Sequence, residues 1–167
     1  MKTIKKILFA TDFSELSAAA VEYAETIAEN FASVIYVAHV VDSVPAIHVE
    51  YPPPSYALVS QAVRTKAMKS LENFVAKNFR SYNKLKFVIL EGHPDQELVL
   101  LAQDEGIDLI IMATHGRTGL AHLVMGSIAE KVVRHSPIAV LLVKPQDIRE
   151  NILTEADVQE QLHASLS

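Results

Sequence analysis

The sequence has no cysteine, which excludes disulfides, thiolate metal sites, iron–sulfur clusters and cysteine nucleophiles. It also lacks an excess of basic charge, because 15 lysines and arginines stand against 20 aspartates and glutamates, a net charge of −5. A general nucleic-acid binder needs a basic surface that displaces phosphate counterions, and docking on an anionic membrane needs basic charge too. The charge balance therefore predicts neither nucleic acid nor membrane as a partner.

Long apolar runs are missing as well. The run at residues 7–10 is followed by Asp12, so it is shorter than the ~7–15-residue core of a signal peptide. The mostly apolar segment at residues 34–41 is interrupted by His39 and falls short of the ~20 residues that cross a bilayer. We therefore expect a cytoplasmic protein.

Several sequence motifs of catalysis and cofactor binding are absent. The sequence contains no G-x-x-x-x-G-K-[ST] phosphate loop, no G-x-G-x-x-G dinucleotide motif and no G-x-S-x-G nucleophile motif. Its 7 histidines are scattered, without H-E-x-x-H or another ligand spacing, which argues against a transition-metal site. None of these motifs therefore identifies a catalytic centre.

Short apolar segments alternate with helical patterns along the chain. This alternation predicts an α/β fold, a single domain with an open five-stranded parallel sheet and helices on both faces. The 167 residues suit one domain, which we place at residues 1–145, with a polar, frayed tail at 146–167. The strands are predicted at residues 6–10, 33–41, 85–91, 107–113 and 138–143.

Four helices are predicted between these strands. The second is long, at about residues 55–79, after a proline-containing loop at 44–56; the third begins near Pro94 and ends near Gly106. The first has apolar residues at helical spacing, and the last, at 126–135, is expected to turn three of its apolar residues inward. These residues are Leu16, Ala20, Tyr23, Ala24, Ile27 and Phe31 in the first helix, and Ile128, Val132 and Val133 in the last.

Ligands of open parallel sheets bind beyond the carboxyl ends of the strands, where the strand order reverses. One candidate segment is Gly126 and Ser127, which open the last helix. Free N–H groups and the positive end of the helix dipole suit an anion such as phosphate there. The alternative is that Ser127 only caps its own helix.

Asp12 follows the first predicted strand, and His39 lies close to the end of the second. Asp12 is a candidate for binding ribose hydroxyls or adenine, and the alternative is that it caps the first helix. His39 ends its strand and is interpreted as a hydrogen-bonded core histidine rather than a catalyst. Gly116, in the loop after the fourth strand, is open to both a turn and a ligand contact.

Taken in order, these segments resemble the universal stress protein family. The resemblance covers roughly residues 4–145. It rests on Ile-Leu-Phe-Ala-Thr-Asp-Phe-Ser at 7–14, Ala-His-Val-Val at 38–41, the stretch from 112 to 119 with Gly126-Ser127, and the segment 136–143. The family fold implies a Rossmann-like sheet of the adenine nucleotide alpha hydrolase type, with strand order 3-2-1-4-5.

Family members that bind ATP share the pattern G-x-x-G, nine residues, G-[ST]. Here Gly116, Gly126 and Ser127 match it, whereas Ala113 stands where the first glycine would be. If the extra methyl faced the ribose, crowding would cost about 1–3 kcal/mol; if it pointed into the sheet, it would cost almost nothing. The resemblance implies an adenine-nucleotide site formed by Ala10, Thr11, Asp12, Val40, Met112, Ala113, Gly116, Arg117, Gly126, Ser127, Ile128 and Ala129.

The resemblance implies a function and a partner. One hypothesis is a stress-response or signalling switch that binds ATP, with or without Mg²⁺, and has no dedicated turnover. A second is a homodimeric scaffold that binds no nucleotide, and a third is a nucleotide-using enzyme built on Asp12 and His115. The family also implies a homodimer through the strand at 138–143, unless the tail covers that strand.

Overall fold

The computed structural model describes residues 3–42, 54–114 and 125–145, with the backbone alone for residues 54–60. Five strands form one sheet in the order β3-β2-β1-β4-β5, and every neighbouring pair is parallel. Both the parallel sheet and its predicted strand order are therefore confirmed. The strands are β1 (Lys6–Ala10), β2 (Val34–Asp42), β3 (Leu85–Gly92), β4 (Leu109–Ala113) and β5 (Ala139–Val143).

Helices follow each of the first four strands. They are α1 (Glu15–Ala18), α2 (Val21–Phe31), α3 (Pro54–Asn78), α4 (Pro94–Asp104) and α5 (Ser127–His135). The expected single helix after β1 is in fact two, because the chain tightens into i→i+3 hydrogen bonds at Ala19 and Ala20. The other helices begin and end within two residues of the prediction.

The sheet separates two apolar cores. On one face, Ile7 and Phe9 of β1 pack with residues of α2 and α3; on the other, Leu8 and Ala10 pack with residues of α4 and α5. This two-sided burial explains why the central strands are apolar at nearly every position. Because side chains alternate along a strand, the core to which one residue belongs also indicates the face on which its neighbours in the strand lie.

Two carboxylates hold the ends of strands and helices in place. Asp108 accepts hydrogen bonds from the N–H groups of Lys5 and Lys6, at 2.7 and 3.0 Å, and so joins the start of β1 to the start of β4. Glu25 of α2 accepts from three consecutive N–H groups after α3, those of residues 80–82, each at 3.1 Å from its Oε1. Both contacts satisfy backbone donors that the regular elements leave unpaired.

Some apolar positions do not face the core as expected. Ile128 and Val133 of α5 are 41% and 44% exposed, whereas Ala129 and Val132 are buried. The inward arc of this short helix is centred on residues 129 and 132, so the flanking residues 128 and 133 turn outward. Tyr23 of α2 is likewise 45% exposed.

The outer part of α3 stands clear of the sheet. All side chains at residues 61–66 are exposed, and burial begins at Ala67. From there Leu71, Phe74 and Val75 contribute to the core on the α2 side. Among the described residues, no helix has the combination of length and apolar character that crossing a bilayer requires.

Candidate functional site

The strand order reverses between β1 and β4. These two strands lie side by side in register, with Leu8 opposite Ile110 and Phe9 opposite Ile111. The chain leaves β1 toward the α2 face, while α5, which follows β4 in sequence, packs on the other face. The carboxyl ends of β1 and β4 therefore border the crevice in which sheets of this type bind ligands.

The turn after β1 is built by hydrogen bonds among its own side chains. Ser14 is the N-cap of α1, and its Oγ accepts from the N–H of Ser17 at 3.1 Å. Asp12 Oδ1 in turn accepts from the N–H of Ser14 at 3.0 Å and from its Oγ at 2.6 Å. Asp12 thus braces the capping residue and does not cap the helix itself, which corrects that alternative.

Phe13 in this turn adopts a left-handed backbone conformation, with φ at 67°. Such a conformation is costly for a bulky side chain, so the surroundings must hold it. The Phe13 N–H donates to Thr11 Oγ1 at 2.9 Å, and the ring lies on the imidazole of His39, with the two centroids 4.0 Å apart. Nothing in the sequence signals this conformation, because the position is not a glycine or an asparagine.

His39, inside β2, joins this strand to the same turn. Its Nδ1 lies 2.8 Å from the carbonyl oxygen of Thr11, and the side chain is half-buried. The Thr11 N–H donates to the carbonyl of Ala38 at 3.0 Å, so both backbone groups of Thr11 are held from β2. The hydrogen bond predicted for this histidine is confirmed, but the side chain is half-buried rather than in the core, and its partner is the turn after β1.

The N-terminus of α5 approaches from the other strand. Gly126 is the N-cap, and its N–H donates to the carbonyl of Thr114, just after β4, at 2.7 Å. Ser127 is the first residue of the helix and is exposed, so the alternative that it caps α5 is wrong. Within the described residues no side chain caps this helix, and its first N–H groups have no acceptor inside the helix.

The described candidate residues divide between the two faces. Ala10, Val40, Met112 and Ala129 belong to the apolar core under α4 and α5. Ala113 lies opposite Val143, which belongs to the other core, and it follows the alternation of Leu109 and Ile111. Its methyl group therefore points to the α1 side, away from α5. Gly116 and Arg117 lie outside the described residues.

A cleft of about 280 Å³ lies beside the turn, on the α3 side. One wall is formed by the turn and α1, and the other by the C-terminal half of α3. Its lining residues include Phe13, Ser14, Glu15, Asn73, Phe74 and Lys77. In the part of the chain that the structure describes, no three histidine or carboxylate groups come together as a metal site.

The chain is similar to known proteins over most of its length. A family model described as the universal stress protein family matches residues 3–144. Universal stress protein MJ0531 of Methanocaldococcus jannaschii is 35% identical over 141 residues, which cover 84% of this chain and 82% of that protein. Universal stress protein MJ0577 of the same organism is 32% identical over 157 residues, covering 84% of this chain and 94% of the relative.

Solved structures agree with this assignment. The structure of MJ0577 superimposes with a TM-score of 0.75 at 32% identity, covering 87% of this chain and 99% of that one. A universal stress protein in complex with cAMP superimposes with a TM-score of 0.56 at 22% identity, covering 86% of this chain and 98% of the other, and supports the fold alone. By sequence and by fold, this chain belongs to the universal stress protein family.

Proposed function

We propose that this protein binds an adenine nucleotide, with ATP as the first candidate, in the crevice between β1 and β4. The observation that carries the proposal is the convergence of two elements on one strand pair. The Asp12 turn follows β1, and the N-terminus of α5, which no described side chain caps, is tied to the end of β4 through Gly126 and Thr114. The first suits a nucleoside and the second suits phosphate groups.

The nucleoside would lie over the ends of β1, β2 and β4. Ala10, Val40 and Met112 share one face of the sheet and offer an apolar floor for adenine. The Asp12 carboxylate is an acceptor for ribose hydroxyls, beside the backbone of Thr11. We assign Ala113 to the same region, with its methyl group directed away from the ligand.

The phosphates would lie at the start of α5. The N–H groups of Ser127, Ile128 and Ala129 stand at the positive end of the helix dipole, where anions are favoured. Ser127 adds a hydroxyl donor at the surface of this helix end. By the family pattern, Gly116 would complete this half of the site, and the resemblance implies that Arg117 lies close by.

We propose that the bound nucleotide acts as a signal in a stress response rather than as a substrate for dedicated turnover. Purified protein should then hydrolyse ATP far more slowly than the ~1–10³ s⁻¹ of ordinary enzymes. We also propose a homodimer through residues 138–143, because β5 is an edge strand with half-buried apolar side chains. Substituting Val140 by lysine should then yield monomers, and a dimer that survives this change would place the interface elsewhere.

Calorimetric titration of nucleotide-free protein tests the site, with ATP, AMP and cAMP as ligands and with Mg²⁺ present or absent. Any nucleotide that co-purifies should be extracted and identified first. Micromolar ATP binding supports the proposal. Absence of binding up to millimolar ATP would reject it in favour of the scaffold hypothesis.

The variant Ser127→Asp tests the placement of the phosphates. A carboxylate at the start of a helix stabilises the helix by about 0.3–1 kcal/mol, so the fold should be preserved. The same charge should repel the phosphates and weaken ATP binding at least about tenfold, while adenosine binding changes little. Thr65→Asp, at an exposed position of α3, adds the same charge elsewhere and serves as the control.

A further inference from the structure

His39 makes two contacts with the turn after β1, one through a ring nitrogen and one through the ring face. A carbonyl oxygen can only accept a hydrogen bond, so the 2.8 Å contact with Thr11 requires a proton on Nδ1. The ring face covers Phe13, whose left-handed backbone needs such support. One side chain of β2 therefore fixes two consecutive features of the β1–α1 turn.

The hydrogen bond to Thr11 controls the orientation of the next residue. The peptide between Thr11 and Asp12 is planar and trans, so fixing its carbonyl also fixes the direction of the Asp12 N–H. The ladder from β2 ends at the Thr11 N–H, which donates to Ala38. The imidazole continues that ladder by one bond, with a side-chain donor in place of a backbone donor.

The turn beyond this peptide depends on the same geometry. Phe13 donates to Thr11 Oγ1, and Ser14 donates to Asp12 Oδ1. If the Thr11–Asp12 peptide rotated, both acceptors would move away from their donors, and the Asp12 carboxylate would leave the mouth of the crevice. A ligand that needs Asp12 in place would then have to reorder the turn as it binds.

We infer that His39 is a positioning residue for the proposed nucleotide site. It sets the Thr11–Asp12 peptide through Nδ1–H and holds Phe13 in its left-handed conformation through the ring. This role rests on the proposed function, because it is defined by the ligand that the turn receives. His39 prepares the site in the free protein and need not touch the nucleotide.

Two substitutions separate the two contacts. His39→Asn keeps a donor close to the position of Nδ1 and removes the ring, whereas His39→Phe keeps the ring and removes the donor. His135→Phe, at the exposed last residue of α5, makes the same chemical change at the end of that helix farthest from Gly126. Circular dichroism and thermal unfolding establish that each variant folds.

The first readout needs no nucleotide. In His39→Phe, amide hydrogen exchange at Phe13 and Ser14 should accelerate about tenfold or more, because their acceptors are no longer fixed. The amides of residues 80–82, which bind Glu25, should not change. His39→Asn should recover most of the protection at Ser14, since the peptide is still held.

The second readout is ATP affinity by calorimetry. His39→Phe should bind about tenfold more weakly or worse, His39→Asn should recover most of that loss, and His135→Phe should bind as the unmodified protein does. Unchanged exchange in His39→Phe overturns the inference, even if affinity falls, because His39 would then act on the ligand directly. If the unmodified protein binds no nucleotide while the exchange pattern appears as expected, the proposed function is rejected and the control of the turn by His39 is supported.

Discussion

Replacing Ala113 by glycine restores the residue that the family's nucleotide-binding pattern has at this position. The substitution would tighten ATP binding if the alanine methyl crowded the ribose. In this structure Ala113 is 7% exposed, and the strand alternation directs its methyl toward the α1 side rather than toward α5. We therefore expect little change in affinity, within about threefold, which corresponds to less than ~1 kcal/mol.

The same substitution should cost stability. Glycine in a strand loses about 0.5–1 kcal/mol relative to alanine through backbone entropy, and a buried methyl group contributes about 0.8 kcal/mol. The sum is about 1–2 kcal/mol, or roughly 2–8 °C in Tm for a chain of this size. Ala38→Gly, also a buried strand position, should lower Tm by a similar amount.

Calorimetry with ATP and thermal unfolding of Ala113→Gly measure these two effects separately. A gain of tenfold or more in affinity would refute the reasoning, because it would mean that the methyl group reaches the ligand. Absence of binding in both forms would instead favour a scaffold that binds no nucleotide.

Three further predictions concern stability. Glu25→Ala removes the acceptor of three N–H groups. Hydrogen bonds to charged groups contribute about 1.5–3 kcal/mol each, but water can replace them at this partly exposed site. We therefore expect a net loss of about 2 kcal/mol in stability, measured as a lower Tm. Glu72→Ala, at an exposed position of α3, is the control. Equal losses of stability in the two variants would contradict this role of Glu25. Burial, and to a lesser degree Glu29, raises the pKa of Tyr82, whose hydroxyl donates to the Ser33 carbonyl. The neutral Tyr82 hydroxyl therefore contributes its full stability below about pH 10, the pKa of tyrosine in the unfolded chain, and this stability is lost as pH rises through the higher pKa of the folded state. Urea unfolding should therefore show a smaller loss of stability between about pH 8 and pH 11 in Tyr82→Phe than in the unmodified protein. Gly92→Ala should destabilise the fold by about 1–3 kcal/mol, because residues with a Cβ rarely adopt its φ of +141°. The Glu97 side chain, with Oε1 2.7 Å from the new Cβ, would have to shift as well. An unchanged urea midpoint would exclude this strain.

Much of the fold follows from local patterns in the sequence. Short apolar runs placed β1 correctly and the other strands within two residues. In the central strand β4 this run reflects burial on both faces. Pro94 and Gly106 mark the limits of α4. Proline suits the first turn because the N–H that it lacks would have no partner in the helix, and glycine readily adopts the left-handed conformation that ends a helix. Gly106 indeed has φ of +63°. The order of the strands came from the family resemblance, since periodicity does not reveal which strands are neighbours.

The finer geometry depends on contacts between distant segments. The apolar pattern of α5 does not distinguish Ile128 from Ala129, because the inward arc is set by the angle at which the helix packs on the sheet. The sequence indicates Asp12 as a candidate ligand-binding residue. Its hydrogen bond to Ser14 and the ring contact of His39 with Phe13 arise only when β1 and β2 lie side by side. The nucleotide-binding roles themselves remain predictions.

The exposed outer part of α3 has a consequence for limited proteolysis. Isolated helical turns are marginally stable in water, and the side chains at residues 61–66 bury nothing that would hold them. Among the described residues, trypsin should therefore cleave first at Arg64 or Lys66, under conditions in which the sheet stays intact. Because Ala67 and the turns that follow are packed on the core, the first cut should leave the C-terminal half of α3 bound to the sheet.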